Sequence, residues 1–231
     1  MLDGFGGDPS TGYFGIYDGH GGRNVAEFLR LHLHVNVENE LKLKGDRSVE
    51  ECLRAAFLYT DIMCHGTGEQ ASGSTAVVCL VRSDAAKRYV YTANCGDARA
   101  VLCHKGAAVR LSKVRGRGGW RRGKGAGRLV QQAAAAVQAS HTQAQGSHTR
   151  TRTHTHTHLP ARALQDHKAT DVAERTRIEA AGGFVVRKRV MGVLAIARSF
   201  GDFVLKKFVS AEPYTSTTLL DEEVSFNAVP Q

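Results

Sequence analysis

Apolar positions along this chain follow two rhythms, separated by a stretch that has neither. The first 113 residues and those after 165 show the periods of helices and strands. Residues 12 to 19, GYFGIYDG, have strand character, and the Asp-Gly pair at their end predicts a turn. After Gly21-Gly22 the apolar positions Val25, Phe28, Leu29, Leu33 and Val37 recur at helical spacing and predict a first helix. A second is predicted over SVEECLRAAFLYTDIM, with Val49, Leu53, Ala56 and Phe57 on its apolar face. STAVVCLVR is a short, continuous apolar run of the kind that forms a strand buried on both faces. RYVYTANCGDARAVLCHKGAAVRLS reads as strand, turn, strand, with the turn at Gly96-Asp97.

Order resumes at Asp166. DVAERTRIEAAGG predicts a helix with Asp171 as N-cap, Glu174 three residues on as in a capping box, and Gly182-Gly183 as its stop. The following stretch, FVVRKRVMGVLAIARSFGD, has the apolar, β-branched composition of strands. The chain ends in DEEVSFNAVPQ, where the pattern offers no closing element.

Charge marks the intervening stretch as different in kind. The formal net charge is +9, and residues 114 to 165 hold nine Lys or Arg with no Asp or Glu, so the remainder balances at 22 basic against 22 acidic residues. A basic glycine-rich run, an Ala/Gln tract and a Thr-His alternation succeed one another there. None could bury a face against a core, so a disordered insert is expected. His154, His156 and His158 alternate with threonines, His148 lies upstream, and on a strand their imidazoles would share a face. Nothing beside them would orient the rings, so only weak capture of zinc or nickel is expected. The basic residues would contact nucleic-acid phosphates nonspecifically, and with Trp120 the single aromatic among them no specific recognition is expected. A CA-dinucleotide repeat read in frame encodes Thr-His alternation. Val114-Arg115 and Gln165 are compatible with splice-donor and splice-acceptor codons, so 114–165 reads as translated intron, as does the divergence from Val224.

Five cysteines without a CxxC pair read as reduced, mostly buried thiols, fitting a cytoplasmic or nuclear protein. No run of 18 apolar residues is present, so no membrane span is expected, and the N-terminus does not read as a signal peptide.

Five ordered blocks carry candidate chemistry. FGIYDGHGG at 14–22, SGSTAVVCLV at 72–81, TANCGDARAVL at 92–102, the E…RI…AGG helix, and RVMGVLAIARSFGD at 189–202 together resemble the metal-dependent PP2C (PPM-type) family of protein serine/threonine phosphatases. An LS…DHK block, split by the insert, is similar to a further family element. The likeness covers residues 14 to 113 and 166 to 223. It implies an α+β fold, a sandwich of two antiparallel β-sheets flanked by α-helices, carried by residues 1–113 and 166–223, with 114–165 inserted and 224–231 divergent. It implies phosphoserine or phosphothreonine protein substrates, no specific nucleic-acid or membrane partner, and a monomer. Two Mg2+ or Mn2+ ions, hard cations that prefer oxygen ligands, would activate water. By resemblance Asp18 is the shared carboxylate, the Gly19 carbonyl is a neighbouring ligand, and Asp97 belongs to a third, weaker site. His20 matches the family's general acid, a role its near-neutral pKa suits. Asp202 is expected to order its loop. Standing alone, a DGH would read as a turn with a solvated histidine, and Asp97 as a turn residue. Gly73, Thr75 and Gly183 read as structural. The Arg and acidic pair upstream of the first family strand, and the DGxWD and DN blocks that supply further aspartates, are not in this sequence. Weak metal holding and impaired turnover are therefore expected, and a catalytically inactive phosphoprotein-binding relative is the alternative.

Overall fold

The computed structural model describes residues 1–68, 70–84, 87–104, 107–112, 166–220 and 224–229. The expected insert 114–165, with its histidines and its reading as intron, lies outside the described residues. A short β1 (Leu2–Asp3) and a 3-10 turn (Phe5–Gly7) lead into β2 (Gly12–His20). Two antiparallel helices come next, α1 (Asn24–Lys42) and α2 (Val49–His65). Then come β3 (Gly73–Asp84), β4 (Lys87–Cys95), β5 (Arg99–His104) and β6 (Ala107–Arg110). Beyond the insert lie α3 (Val172–Ala180), β7 (Val185–Val186), β8 (Arg189–Val190) and β9 (Phe200–Gly201). A 3-10 turn (Phe203–Leu205), β10 (Tyr214–Leu220) and β11 (Val224–Val229) complete the order.

Strands β1-β2-β3-β4-β10 form one antiparallel sheet, to which β9 adds alongside the start of β3, and β11-β5-β6 form a second. This is the expected α+β sandwich, and the period of β3 explains it. Ala76, Val78 and Leu80 face α1 and α2, packing with Leu29, Leu33, Leu53 and Phe57. Val77, Cys79 and Val81 face the other way and pack with Ala98, Ala100 and Leu102 at the second sheet. A strand buried on both faces must be apolar at successive positions, which is what STAVVCLVR shows. A third cluster, Ala169, Ile178, Val190, Ala197 and Val209, holds α3 and the β7–β8 hairpin.

Both long helices start and face as their sequence predicts. Val25, Leu29, Leu33 and Val37 form the buried stripe of α1. Ser48 caps α2 in a full capping box, accepting from Glu51 N while the Glu51 carboxylate accepts from Ser48 N. Ser48→Ala is expected to cost about 1 kcal/mol in equilibrium unfolding, since two orphan amide donors lose their arrangement; a change within error would mean that water serves the helix end equally well. Between the helices a buried amide of Asn36 donates to Thr60 Oγ1 at 2.8 Å.

Several local expectations fail for tertiary reasons. The Asp18-Gly19 pair is not a turn: β2 runs through it to His20, paired with β3, and the chain turns at Gly21 and Gly22, both at positive φ. Gly96-Asp97 is not the turn of a hairpin. Strand β4 pairs with β3 and β10, whereas β5 pairs with β6 and β11, so this is a corner where the chain changes sheets. Residues 184–202 contain only two-residue strands, because six of their positions (Arg187, Lys188, Met191, Gly192, Gly201 and Asp202) adopt positive φ and break the pleat. Asp171 caps α3 as expected, but the Glu174 carboxylate turns inward to Arg177 and Arg198 instead of closing a capping box. The closing stretch, for which the pattern offers no element, forms β11 along β5 from Val224↔His104 to Val229↔Arg99.

Four cysteines (52, 64, 79 and 95) are buried and Cys103 partly so, all as free thiols. Burial pushes the Cys79 thiol up to about 12 and raises Cys95 as well, which suits packing and not nucleophilic attack. No described helix is long and apolar enough to cross a membrane.

Candidate active-site edge

Register places the candidate residues at one end of the large sheet. Across β2 and β3, Asp18 lies opposite Thr75, Gly19 opposite Ser74, and His20 opposite Gly73. On the far side of β3, Ala76 pairs with Cys95, so Gly96 and Asp97 come next at the same edge. Strand β9 completes it, Gly201 pairing with Gly73, with Asp202 immediately after. Four chain segments, distant in sequence, thus end together. Asp18 and Gly19 are exposed, while His20 and Asp97 are half-buried.

Close approach explains the glycines. A Cβ on Gly96, at φ +105, would lie 2.6 Å from Thr75 Cγ2. One on Gly73 would lie 2.1 Å from Asp202 Oδ2 and 2.4 Å from His20 Nε2. Glycine at both positions lets side chains from other strands fill the space that a Cβ would take.

One contact at this edge cannot be read from the amino-acid order. His20 Nε2 lies 2.7 Å from Asp202 Oδ2, with Asp202 only 8% exposed and His20 31%. Asp202 does order its loop, its backbone N donating to Ser72 O at 3.0 Å, but its carboxylate reaches the histidine as well. The loop is anchored from α2, where Asp61 accepts from Gly201 N at 2.9 Å and pairs with Lys206. Burial raises the Asp61 carboxyl above its ordinary value against the opposing pull of Lys206.

A second support holds the Asp97 corner. Gly96 N donates to His167 Nδ1 at 3.1 Å, and His167 N donates back to Gly96 O at 3.2 Å. Burial, aided by the Arg198 charge, pushes His167 down to about 4, so the ring is a neutral acceptor. Beside it Asp166 takes two hydrogen bonds from Arg99, at 3.0 and 2.6 Å, and a further one from Arg110. Burial disfavours the Asp166 carboxylate, yet these hydrogen bonds outweigh it and hold its pKa below the usual range. Lys168 lies 3.8 Å from both Asp97 and Asp166. In the sequence the DHK run at 166–168 is only part of a split family block; three polar letters give no sign of burial.

Whether the site suits two divalent cations depends on its oxygen donors. Asp18, the Gly19 carbonyl and Asp97 are the right chemical type. Among the described residues, however, no three His, Cys, Asp or Glu side chains gather as a metal-holding group. The buried oxygens Thr75 Oγ1 and Asn94 Oδ1 also lack a hydrogen-bond partner there. The described residues do not by themselves fit a binuclear centre.

The fold and this edge define a two-sheet α+β sandwich with a carboxylate, a histidine and close-packed glycines gathered at one sheet end. Comparison with known proteins names the class. The family model Protein phosphatase 2C matches residues 2–114 and 149–228. Protein phosphatase 2C homolog 1 of Schizosaccharomyces pombe is 29% identical over 93% of this chain and 48% of its own length. Probable protein phosphatase 2C 8 of Oryza sativa is 33% identical over 93% of this chain and 44% of its own. Among solved structures, a serine-threonine phosphatase 2C from Toxoplasma gondii superposes with a TM-score of 0.60 at 14% identity, covering 94% of this chain and 66% of that one. A C. elegans sex determining protein gives a TM-score of 0.62 at 20% identity, covering 94% and 43%. The chain belongs to the protein phosphatase 2C family. It spans about half the length of these curated relatives.

Proposed function

We propose that this sheet edge is part of the active site of a divalent-cation-dependent protein phosphatase acting on phosphoserine and phosphothreonine. The observation that carries the reading is the convergence of Asp18, Gly19, His20 and the Gly96-Asp97 corner at one sheet end, in a chain of this family. Mg2+ or Mn2+ would supply charge neutralisation and an activated water. Asp18 and the Gly19 carbonyl are the residues to hold such an ion, with Asp97 as a further, weaker ligand. His20 holds the proton that the departing serine or threonine oxygen needs. Two carboxylates and a carbonyl are too few for two ions. On this reading His20 serves proton delivery, while attack on phosphorus needs ligands beyond these residues.

Phosphate release from a phosphothreonine peptide tests this in the 231-residue chain with Mn2+, beside peptide binding measured by fluorescence anisotropy. Binding strengthened by Mn2+ and weakened at least tenfold by Asp18→Ala is expected, with turnover slow or absent. Robust turnover abolished by Asp18→Ala would show that the ligand set is sufficient after all. Absence of both binding and turnover would sink the phosphatase reading. A second reading, a catalytically inactive phosphoprotein-binding module, is favoured by the lack of a gathered metal-holding group among the described residues. It predicts binding indifferent to Mn2+ and to Asp18→Ala.

A further inference from the structure

We propose that Asp202 is the positioning residue for His20, fixing the ring so that Nε2–H is spent on Asp202 and Nδ1 is the nitrogen that serves the substrate. This rests on the proton-donor role of His20 proposed above. The hydrogen-bond inventory forces the polarity. A carboxylate only accepts, so at 2.7 Å the proton between His20 Nε2 and Asp202 Oδ2 belongs to the imidazole. Ser199 Oγ donates to the same Oδ2, which reinforces that oxygen as an acceptor. In the neutral ring the lone pair then sits on Nδ1, and in the protonated ring Nδ1 carries the transferable proton. Among the described residues no hydrogen bond is made by Nδ1, and the His20 side chain is 31% exposed.

The surrounding backbone is committed to this pair. Asp202 adopts φ 49, a left-handed conformation that non-glycine residues avoid. It is held there by Asp202 N donating to Ser72 O at 3.0 Å and by Leu205 N donating to Asp202 O at 2.8 Å. Gly201 before it, at φ +69, has Ser72 O only 2.4 Å from where a Cβ would stand. Gly73 leaves open the volume in which Nε2 and Oδ2 meet. Three separate departures from ordinary backbone or side-chain choice thus serve one hydrogen bond, whereas an ordinary loop would need none of them.

Long-range 15N–1H NMR of the metal-free chain at one fixed pH reads the tautomer directly, with His20→Gln identifying the resonances. His20 is expected as the Nε2–H form with a ring proton protected from solvent exchange. Asp202→Ala should lose that protection. Asp202→Asn, nearly isosteric and informative even where the alanine variant fails to fold, should shift the ring toward Nδ1–H, because its amide can donate to Nε2. An Nδ1–H ring in the unmodified chain overturns the proposal, as does a protected Nε2–H that persists in either folded variant. Neither readout depends on turnover, so failure of the phosphatase reading would show separately, in the peptide assays.

Discussion

Asp166→Ala is expected to destabilise the chain by about 3–5 kcal/mol, the cost of leaving buried charge without its partner. Asp166 is 4% exposed at its side chain and Arg110 8%, while Arg99, at 19%, is only a little more open. Removing the carboxylate strands two guanidinium groups on β5 and β6 in a site they cannot leave. The loss should appear as a lower urea midpoint with an unchanged slope. The position makes the effect informative. Asp166 is the first described residue after the insert, and its partners precede the insert, so this pair ties the two halves of the domain together. Combining Asp166→Leu with Arg110→Met should recover part of the loss, since apolar replacement removes the desolvation cost along with the attraction. A loss under about 1 kcal/mol for Asp166→Ala would mean that the arginines find water or another acceptor.

Acid is expected to loosen the Asp97 corner through His167. Its folded-state pKa of about 4 lies below the ordinary 6.5, so between those values the unfolded chain binds a proton that the folded chain refuses. The stability contributed by the neutral ring is complete above pH 6.5 and falls as pH drops toward 4, by about 3 kcal/mol in total. Protonation also removes the acceptor that Gly96 N uses. Below that window Asp166 and Glu174, both held under their ordinary carboxylate values, add a further loss as they protonate. Unfolding free energies from about pH 7 to 4 should show a slope that His167→Gln flattens. An equal slope in both proteins would place the acid sensitivity elsewhere.

These two supports are invisible in the amino-acid order, and the reason is specific. Hydrophobic periodicity locates α1 and α2, because each buries a stripe of its own residues against the sheet. The apolar run of β3 announces burial on both faces for the same reason. Polar letters carry no such period. DHK at 166–168 could be any exposed turn, and GD at 201–202 any loop. Their burial depends on partners that no local window contains. The mistaken turn at Asp18-Gly19 has the same origin. Asp-Gly favours a turn locally, but pairing with Ser74 and Thr75 extends the strand through it.

By itself, the sequence determined the family blocks, the two long helices with their buried faces, the Asp171 cap of α3, and the residue types from which an oxygen-rich site can be made. Only the tertiary structure decided where those residues meet. It turned the Gly96-Asp97 turn into a corner between sheets, set Gly73 where a side chain would collide, and brought Asp202 to His20 across 182 positions of sequence. Composition and periodicity report what a segment buries. Register between strands reports what it touches, and at this sheet edge it is touching that sets His20 against Asp202.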